Sequence, residues 1–235
     1  MDNLKYTYHF EFENGKKKEF NVELDNHSLS PVKSNTDNLP GWTELEFNKC
    51  ADCPLSLKHT HCPLAVQLAP LVDSLKDVNS IEETKVTVTL DERIVSKNTS
   101  AQESISSMMG IITAVSGCPL TEFFKPMARF HLPFANMEET FYRAASMYML
   151  GQYYRWQNDM SADMDMKGLT QYYSNVAKVN QGMAERLRAT RREDGAVNAL
   201  VLLDMFVKSM PYTIEPFLEE LKPLFEPYLR EQHIF

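Results

Sequence analysis

The chain has four cysteines, and three of them, Cys50, Cys53 and Cys62, fall within one short stretch, NKCADCPLSLKHTHCPL at residues 48–64. The fourth, Cys118, follows a glycine in Gly117-Cys118-Pro119-Leu120. One Cys-x-x-Cys pair plus two further thiols, with none left over, is the donor set of a tetrahedral metal site. Thiolate is the metal-binding form, and it needs a local source of positive potential. Cys53, Cys62 and Cys118 each stand directly before Pro-Leu. Proline is favoured at the first helical position, where its missing N–H would be unpaired anyway. The pattern therefore predicts three helix starts, each with a cysteine at or beside the N-cap, where free N–H groups and the helix dipole favour an anion.

Zinc suits four thiolates best, in a closed tetrahedron with Zn–S of about 2.3 Å. Cys50 and Cys53 would form the first knuckle, Cys62 the third ligand and Cys118 the long-range fourth. His59 and His61 are spare donors, and a site of three cysteines completed by His61 would leave Cys118 free. An iron–sulfur cluster is the alternative cofactor, although the ferredoxin spacings differ from this one. Four buried cysteines beside proline turns, holding no metal, are the plainer account. A closed site is more often structural than catalytic. The competing functional class is a thiol-redox enzyme or sensor using the Cys50/Cys53 pair. A thioredoxin-like site expects a βαβ setting, which the residues around Cys50 lack.

A second group of polar residues lies in FFKPMARFHLPFA, residues 123–135. This stretch is too apolar for an exposed loop, while Pro126 and Pro133 prevent a continuous helix. A largely buried connector is expected. Arg129 and His131 within it need partners if buried, and Glu138, Glu139 and Arg143 on the first turns of the next helix are placed to supply them. The plainer expectation is an Arg–carboxylate pair and a hydrogen-bonded histidine locking the connector to the helices. The sharper one is a ligand pocket, or a small-molecule enzyme built on Arg129, His131 and Glu139. Met160, Met164 and Met166 alternate with Asp159, Asp163 and Asp165, but soft thioethers and hard carboxylates prefer different ions, so a solvated loop is expected there. There is no Gly-rich phosphate loop, no His-Glu-x-x-His and no Gly-x-Ser-x-Gly.

The elements that must position these residues can be read from periodicity. Tyr6, Tyr8, Phe10 and Phe12 alternate with polar residues as in a half-buried strand. Asn14-Gly15 suggests a two-residue hairpin turn, and Phe20, Val22 and Leu24 share one face of the return strand. Residues 43–47 suggest a short strand, residues 85–90 a longer one, and 93–97 its continuation or partner. Leu64, Leu68, Leu71, Val72 and Leu75 recur at helical spacing. Ser100 with Glu103, and Asn136 with Glu139, have capping-box spacing, opening helices that stop at Gly117 and near Trp156. The stripe Phe141, Tyr148, Tyr153 and Trp156 of the latter is aromatic. Further helices are expected over 168–190 and 196–209, the second apolar almost all round and so central to a bundle. A last one, over 213–230, should kink or break at Pro223 and Pro227. The fold class is α+β: residues 1–122 form a small antiparallel sheet with two helices and a four-cysteine metal knuckle, packed on an all-α bundle of residues 123–235.

Together, Ser116-Gly117-Cys118-Pro119 and PMARFHLPFA at 126–135 resemble an uncharacterised bacterial protein family, a domain of unknown function. The similarity runs from the FEFENGKK hairpin through Glu138-Glu139-Thr140 to Asn198-Ala199-Leu200-Val201. It implies a soluble bacterial protein and supplies no activity, substrate or catalytic residue.

At 235 residues the chain can bury a substantial core, and its net charge of −8 argues against a general nucleic-acid binder. The basic cluster Arg186, Arg188, Arg191 and Arg192 reads as the last turn of a helix, where cations complement the dipole. His9, His27 and His233 read as surface residues. The N-terminal residues lack the apolar core of a signal peptide, and no apolar run approaches the roughly 20 residues that span a bilayer. The expectation is a soluble cytoplasmic protein whose thiols stay reduced, with a protein or small-molecule partner and no nucleic-acid or membrane partner.

Overall fold

A computed structural model describes residues 3–32, 38–190 and 194–230. The chain opens with the expected hairpin, strand β1 (Leu4–Phe12) paired to β2 (Lys17–Leu24). Its connection is one residue longer than the Asn-Gly pattern suggests. The Phe12 N–H donates to the Lys16 carbonyl and the Gly15 N–H to the Phe12 carbonyl, both at 2.9 Å, and only Gly15 takes a positive φ, 81°. Asn14 instead accepts the Lys16 N–H on its side-chain oxygen at 2.8 Å, an Asx arrangement that replaces the left-handed conformation of a two-residue turn.

Strands β3 (Glu83–Leu90) and β4 (Arg93–Ser100) complete a four-stranded antiparallel sheet in the order β2-β1-β3-β4. Tyr6, Tyr8, Phe10 and Phe12 of β1 are buried together with Val86 and Val88 of β3, which is the face that alternation assigns to the core. Residues 43–47 are not a strand. Pro40 leads into a single 3-10 turn, Gly41–Thr43, because both the N–H and the hydroxyl of Thr43 take the Pro40 carbonyl, at 2.9 and 2.7 Å. All that remains of strand pairing there is one bridge, Glu44 with His61.

Helix α1 (Pro63–Ser74) and helix α2 (Ala101–Val115) are the two helices of the N-terminal half. Ser100 caps α2 by accepting the Glu103 N–H. The reciprocal half of the box is absent, because the Glu103 carboxylate takes the Thr99 hydroxyl instead. The connector contains a 3-10 turn and a short helix α3 (Lys125–Arg129). It is less buried than expected: Phe130 is 75% exposed, and Phe123 lies out on the surface, stacked on Tyr172 at 4.1 Å between ring centroids.

Helix α4 (Met137–Gln157) begins with the complete capping box, Glu139 N–H to Asn136 Oδ1 and Asn136 N–H to Glu139 Oε2, both 2.8 Å. Its aromatic stripe divides, with Phe141 and Tyr148 buried and Tyr153 and Trp156 exposed. The acidic turn that follows is ordered by Asp163, which accepts the Tyr148 hydroxyl and the Gly168 N–H, both at 2.7 Å, at the start of α5 (Lys167–Ala189).

Helix α6 runs without a break from Asp194 to Leu221, through Pro211 and Pro216. Sequence reading placed two helices there. Pro223 and Pro227 act as initiators rather than kinks, each near the start of a new short element: a 3-10 turn at Lys222–Phe225 and helix α7 (Glu226–Leu229). That is the position where proline's missing N–H matters least. Helix α6 contacts α2, α4 and α5, although Met205 turns outward. The stretch Gly195–Leu229 is long and apolar enough, by length and composition alone, to cross a membrane. Its apolar residues are interspersed with charges and prolines, so no unbroken run reveals it.

The fold is therefore mixed α+β, with the antiparallel sheet N-terminal and the longer helices behind it. One hydrophobic core runs from Tyr6 in β1 through α1 and α2 to Leu221 at the end of α6.

Candidate functional site

The cysteines are delivered by three places in the chain, the loop at Cys50 and Cys53, the start of α1 and the turn after α2, and the first of these docks on α5. Cys62 is the N-cap of α1, as its Pro-Leu context predicts, and its N–H donates to the Thr43 carbonyl at 2.8 Å. Cys118 follows Gly117, whose φ of 86° favours glycine and folds the chain back so that a Cβ on Gly117 would stand 3.9 Å from the Pro63 side chain. The end of α2 thus lies beside the start of α1, and the two buried thiols are brought together. Cys118 itself starts a tight turn, its carbonyl accepting the Thr121 and Glu122 N–H groups at 3.0 and 3.2 Å, and α3 begins only at Lys125. Cys53 precedes no helix; its N–H closes a turn onto the Cys50 carbonyl at 3.0 Å. Of three expected helix starts, one is formed.

Cys50 makes the closest approach to α5. A Cβ built on Gly182 would lie 2.7 Å from Cys50 Sγ and 3.5 Å from Cys50 Cα, a separation no side chain tolerates. The loop can dock on the helix there because residue 182 is glycine. One turn on, Arg186 is buried and holds the same loop, donating to the carbonyls of Trp42, Glu44 and Leu45 at 2.9, 2.6 and 2.7 Å. One turn back, Lys178 pairs with Asp52. Residues 178, 182 and 186 therefore form a stripe on α5 that receives the cysteine loop. Arg186 and Arg188 do stand in the last turn of α5, as expected, and these bonds give Arg186 a second role: a buried guanidinium with three carbonyl acceptors is a fastening. Arg188 is exposed, and Arg191, Arg192 and His233 lie outside the described residues.

The thiols are near enough to act on one another. Burial pushes the Cys50 thiol up to about 11, with the neighbouring sulfurs of Cys62, Cys118 and Cys53 adding to the effect and Arg186 opposing it. Cys118 is also raised, first by burial. For both, desolvation is the leading cause, and the helix start expected to stabilise a Cys118 thiolate is not formed. Among the described residues, however, no three His, Cys, Asp or Glu side chains converge tightly enough to hold an ion as they stand. All four cysteines are free thiols. His61 uses its Nδ1 on the Thr43 hydroxyl at 2.9 Å, which leaves Nε2 as its available donor atom.

The second polar group divides. Arg129 turns away to Asn26, and Glu139 is occupied by the α4 cap. Neither forms the Arg–carboxylate pair expected of the connector. His131 and Arg143 do come together. The His131 Nε2 lies 2.5 Å from the Tyr8 hydroxyl, so the histidine locks the connector to strand β1 rather than to the helical bundle. The Tyr6 hydroxyl donates to the Ala128 carbonyl at 2.7 Å. Burial, and secondarily the Arg143 cation, pull His131 down to about 3. Arg143 donates to the carbonyls of Met127 and Phe130 at 2.8 and 2.9 Å. Both residues line a cleft of about 390 Å³.

A family model for a domain of unknown function, DUF6901, matches residues 6–226. The chain belongs to this family. The match covers the sheet, the cysteine loop, the connector and the helices through the start of α7, so the thiol cluster and the cleft both lie within the family's domain. No curated protein and no solved structure matches the chain.

Gly182 was not singled out from the sequence, while Arg186 and Tyr8 were read only as a helix-end cation and a buried strand residue. A glycine inside an otherwise regular helix was the available signal for the first, since it disfavours the helix by about 1 kcal/mol relative to alanine and commonly marks a close approach. Nothing local distinguishes Arg186 from its neighbours.

Proposed function

We propose that Cys50, Cys53, Cys62 and Cys118 hold one zinc ion in a closed structural site, and that the protein is a binding or scaffolding module with no chemistry at the metal. The observation that carries this reading is that Cys53, Cys62 and the sequence-distant Cys118 all lie near enough to Cys50 to raise its thiol, although the four sulfurs would have to draw closer to hold an ion. Buried thiols gathered in this way gain most from a cation that displaces their protons. The gap at Gly182 fits the same account, because it admits a sulfur where any side chain would exclude one. The ion would tie the loop of residues 44–62 to the starts of the segments at Pro63 and Pro119. Zinc supplies only cross-linking here, with all four positions taken by protein.

On this reading the protein works in a reducing compartment, the bacterial cytosol, where thiols remain available to metal. Its partner would be a protein or a small molecule. The net charge of −8 speaks against nucleic acid, and α6, which packs against α2, α4 and α5 although only 28% of its apolar window is buried, is taken as a bundle helix rather than a membrane span. An iron–sulfur cluster on the same thiols is the alternative cofactor. The thiol-redox alternative requires a reactive thiolate near neutral pH, and the burial that raises Cys50 works against it.

Substituting Cys118→Ser tests the structural role. Zinc retention during dialysis against a chelator and the melting temperature are expected to fall together, and chelator-stripped wild type should melt like the variant. An unchanged melting temperature after stripping would show that the metal does not hold the fold.

A further inference from the structure

The cleft that contains His131 and Arg143 is separate from the thiol cluster, and its chemistry is specific. Its walls are mostly apolar, formed by Ile111 on α2, Phe124 in the connector, Val176 on α5, and Leu203 and Phe206 on α6. A volume of about 390 Å³ falls in the range of small-molecule sites. On its wall stands Arg143, a cation with no ion-pair partner among the described residues. Arg143 bonds only to two backbone carbonyls, and among the described residues no carboxylate lies within ion-pair distance of it. Glu139, one helical turn away and bonded in the α4 cap, acts on Arg143 only from beyond ion-pair distance. A partly buried guanidinium normally finds a carboxylate, since neutral carbonyls leave its charge uncompensated.

Two further observations point to an occupant. Tyr173 lines the cleft at 3% exposure, close enough to Arg143 that each affects the other's ionisation. Among the described residues its hydroxyl makes no hydrogen bond, and it is not one of the sealed, unpaired polar atoms, so it is open to donate to an occupant of the cleft. Gly110 lies in the middle of α2 on the cleft wall, and a Cβ there would meet nothing within 4 Å. No steric contact requires glycine at this position, and its effect is to leave the cleft wider.

We infer that this cleft binds a small carboxylate with an apolar body, an alkyl or aryl carboxylate, whose head group pairs with Arg143 and accepts a hydrogen bond from Tyr173. The charge count selects a monoanion. Among the lining residues Lys97 and Glu103 pair with each other at 3.7 Å, and His131 is held neutral, so Arg143 is the lining cation left without an ion-pair partner among the described residues. A phosphate dianion would bring more charge than one guanidinium neutralises in an apolar cleft.

Calorimetric titration with octanoate and with 2-naphthoate tests the inference, with 1-octanol as the uncharged control. One octanoate or one naphthoate should bind per chain, and whichever binds tighter identifies the body as alkyl or aryl. Octanol should bind at least about tenfold more weakly than octanoate, the loss expected when a charge-assisted hydrogen bond is removed. Arg143→Gln should weaken carboxylate binding by about tenfold or more, and Tyr173→Phe by a smaller factor. Gly110→Leu should abolish binding by filling the cleft. Because Arg143 also holds the connector, Gly110→Leu decides the matter if Arg143→Gln does not fold. Absence of binding by either carboxylate at millimolar concentration would overturn the inference. So would octanol matching octanoate, or undiminished binding to Gly110→Leu.

Discussion

Gly182 is the residue on which the thiol cluster depends, and it separates two opposite expectations for one kind of substitution. Alanine is the better helix former by about 1 kcal/mol, so Gly→Ala inside a helix should stabilise wherever there is room. At Gly110 there is room, and Gly110→Ala is expected to raise stability by up to about 1 kcal/mol. At Gly182 the new methyl would stand 2.7 Å from Cys50 Sγ, so Gly182→Ala should lower the melting temperature and weaken zinc retention. Thermal unfolding of the two variants with and without chelator checks this, and a stabilised, zinc-retaining Gly182→Ala would remove the loop–helix contact from the account. At this scale the sequence announced the cysteines by their spacing and their Pro-Leu contexts. It did not announce how they are held. Helix starts account for Cys62 alone, whereas the docking of Cys50 depends on a glycine more than a hundred residues away in the chain, and no local pattern encodes that distance.

Helix α5 is the element that organises the site. Lys178, Gly182 and Arg186 recur at a spacing of four and so lie along one line of the helix, where they meet Asp52, Cys50 and the carbonyls of residues 42–45. Arg186→Lys keeps the charge but removes the planar fork that serves three carbonyls at once. It is expected to destabilise the fold by about 2–4 kcal/mol, as befits a buried, charge-assisted network. Limited proteolysis should then cut the loop of residues 46–60 first, and an unaltered cleavage pattern would contradict the fastening role. Elements with strong local signals were legible: the β1–β2 hairpin from its alternation, α4 from Asn136 and Glu139. The elements misread were those where a side chain competes with a backbone pattern. Thr43 takes the Pro40 carbonyl and converts an expected strand into a 3-10 turn. Asn14 takes the Lys16 N–H and lengthens the hairpin loop. At the other end, Pro211 and Pro216 sit inside a helix that continues through them, while Pro223 and Pro227 start new turns, and proline alone does not tell these roles apart.

At the scale of the whole molecule, one core links the sheet to the helices, and His131, half-buried against Tyr8 of that core, ties its stability to pH. The folded chain holds His131 near 3, whereas an unfolded histidine titrates near 6.5. Between these values the unfolded state binds a proton that the folded state refuses, so stability is complete above about pH 6.5 and falls as pH is lowered toward 3. From pH 6.5 to 4.5 the loss is about 2–3 kcal/mol. Carboxylates held low by their partners, such as Asp25 and Asp163, lose their contribution only as the pH falls on through the carboxylate range. Urea unfolding between pH 7 and 4.5, with chelator present to silence the thiols, should show this slope in the wild type and a flatter one in His131→Gln; equal slopes would mean that another group is responsible. The α+β class and the order of the elements were legible from periodicity. The cleft was not, since it is an absence bounded by six segments, and only the presence of Arg129, His131, Glu139 and Arg143 in an apolar setting hinted at it. The central claim remains the thiol site, and the most direct measurement is metal content, with an absorption spectrum, on protein purified without a metal-affinity column. The account predicts about one zinc per chain, no visible colour, and thiols that titrate only after chelation. Iron with visible absorption, or no metal with all four cysteines reacting freely, would contradict it.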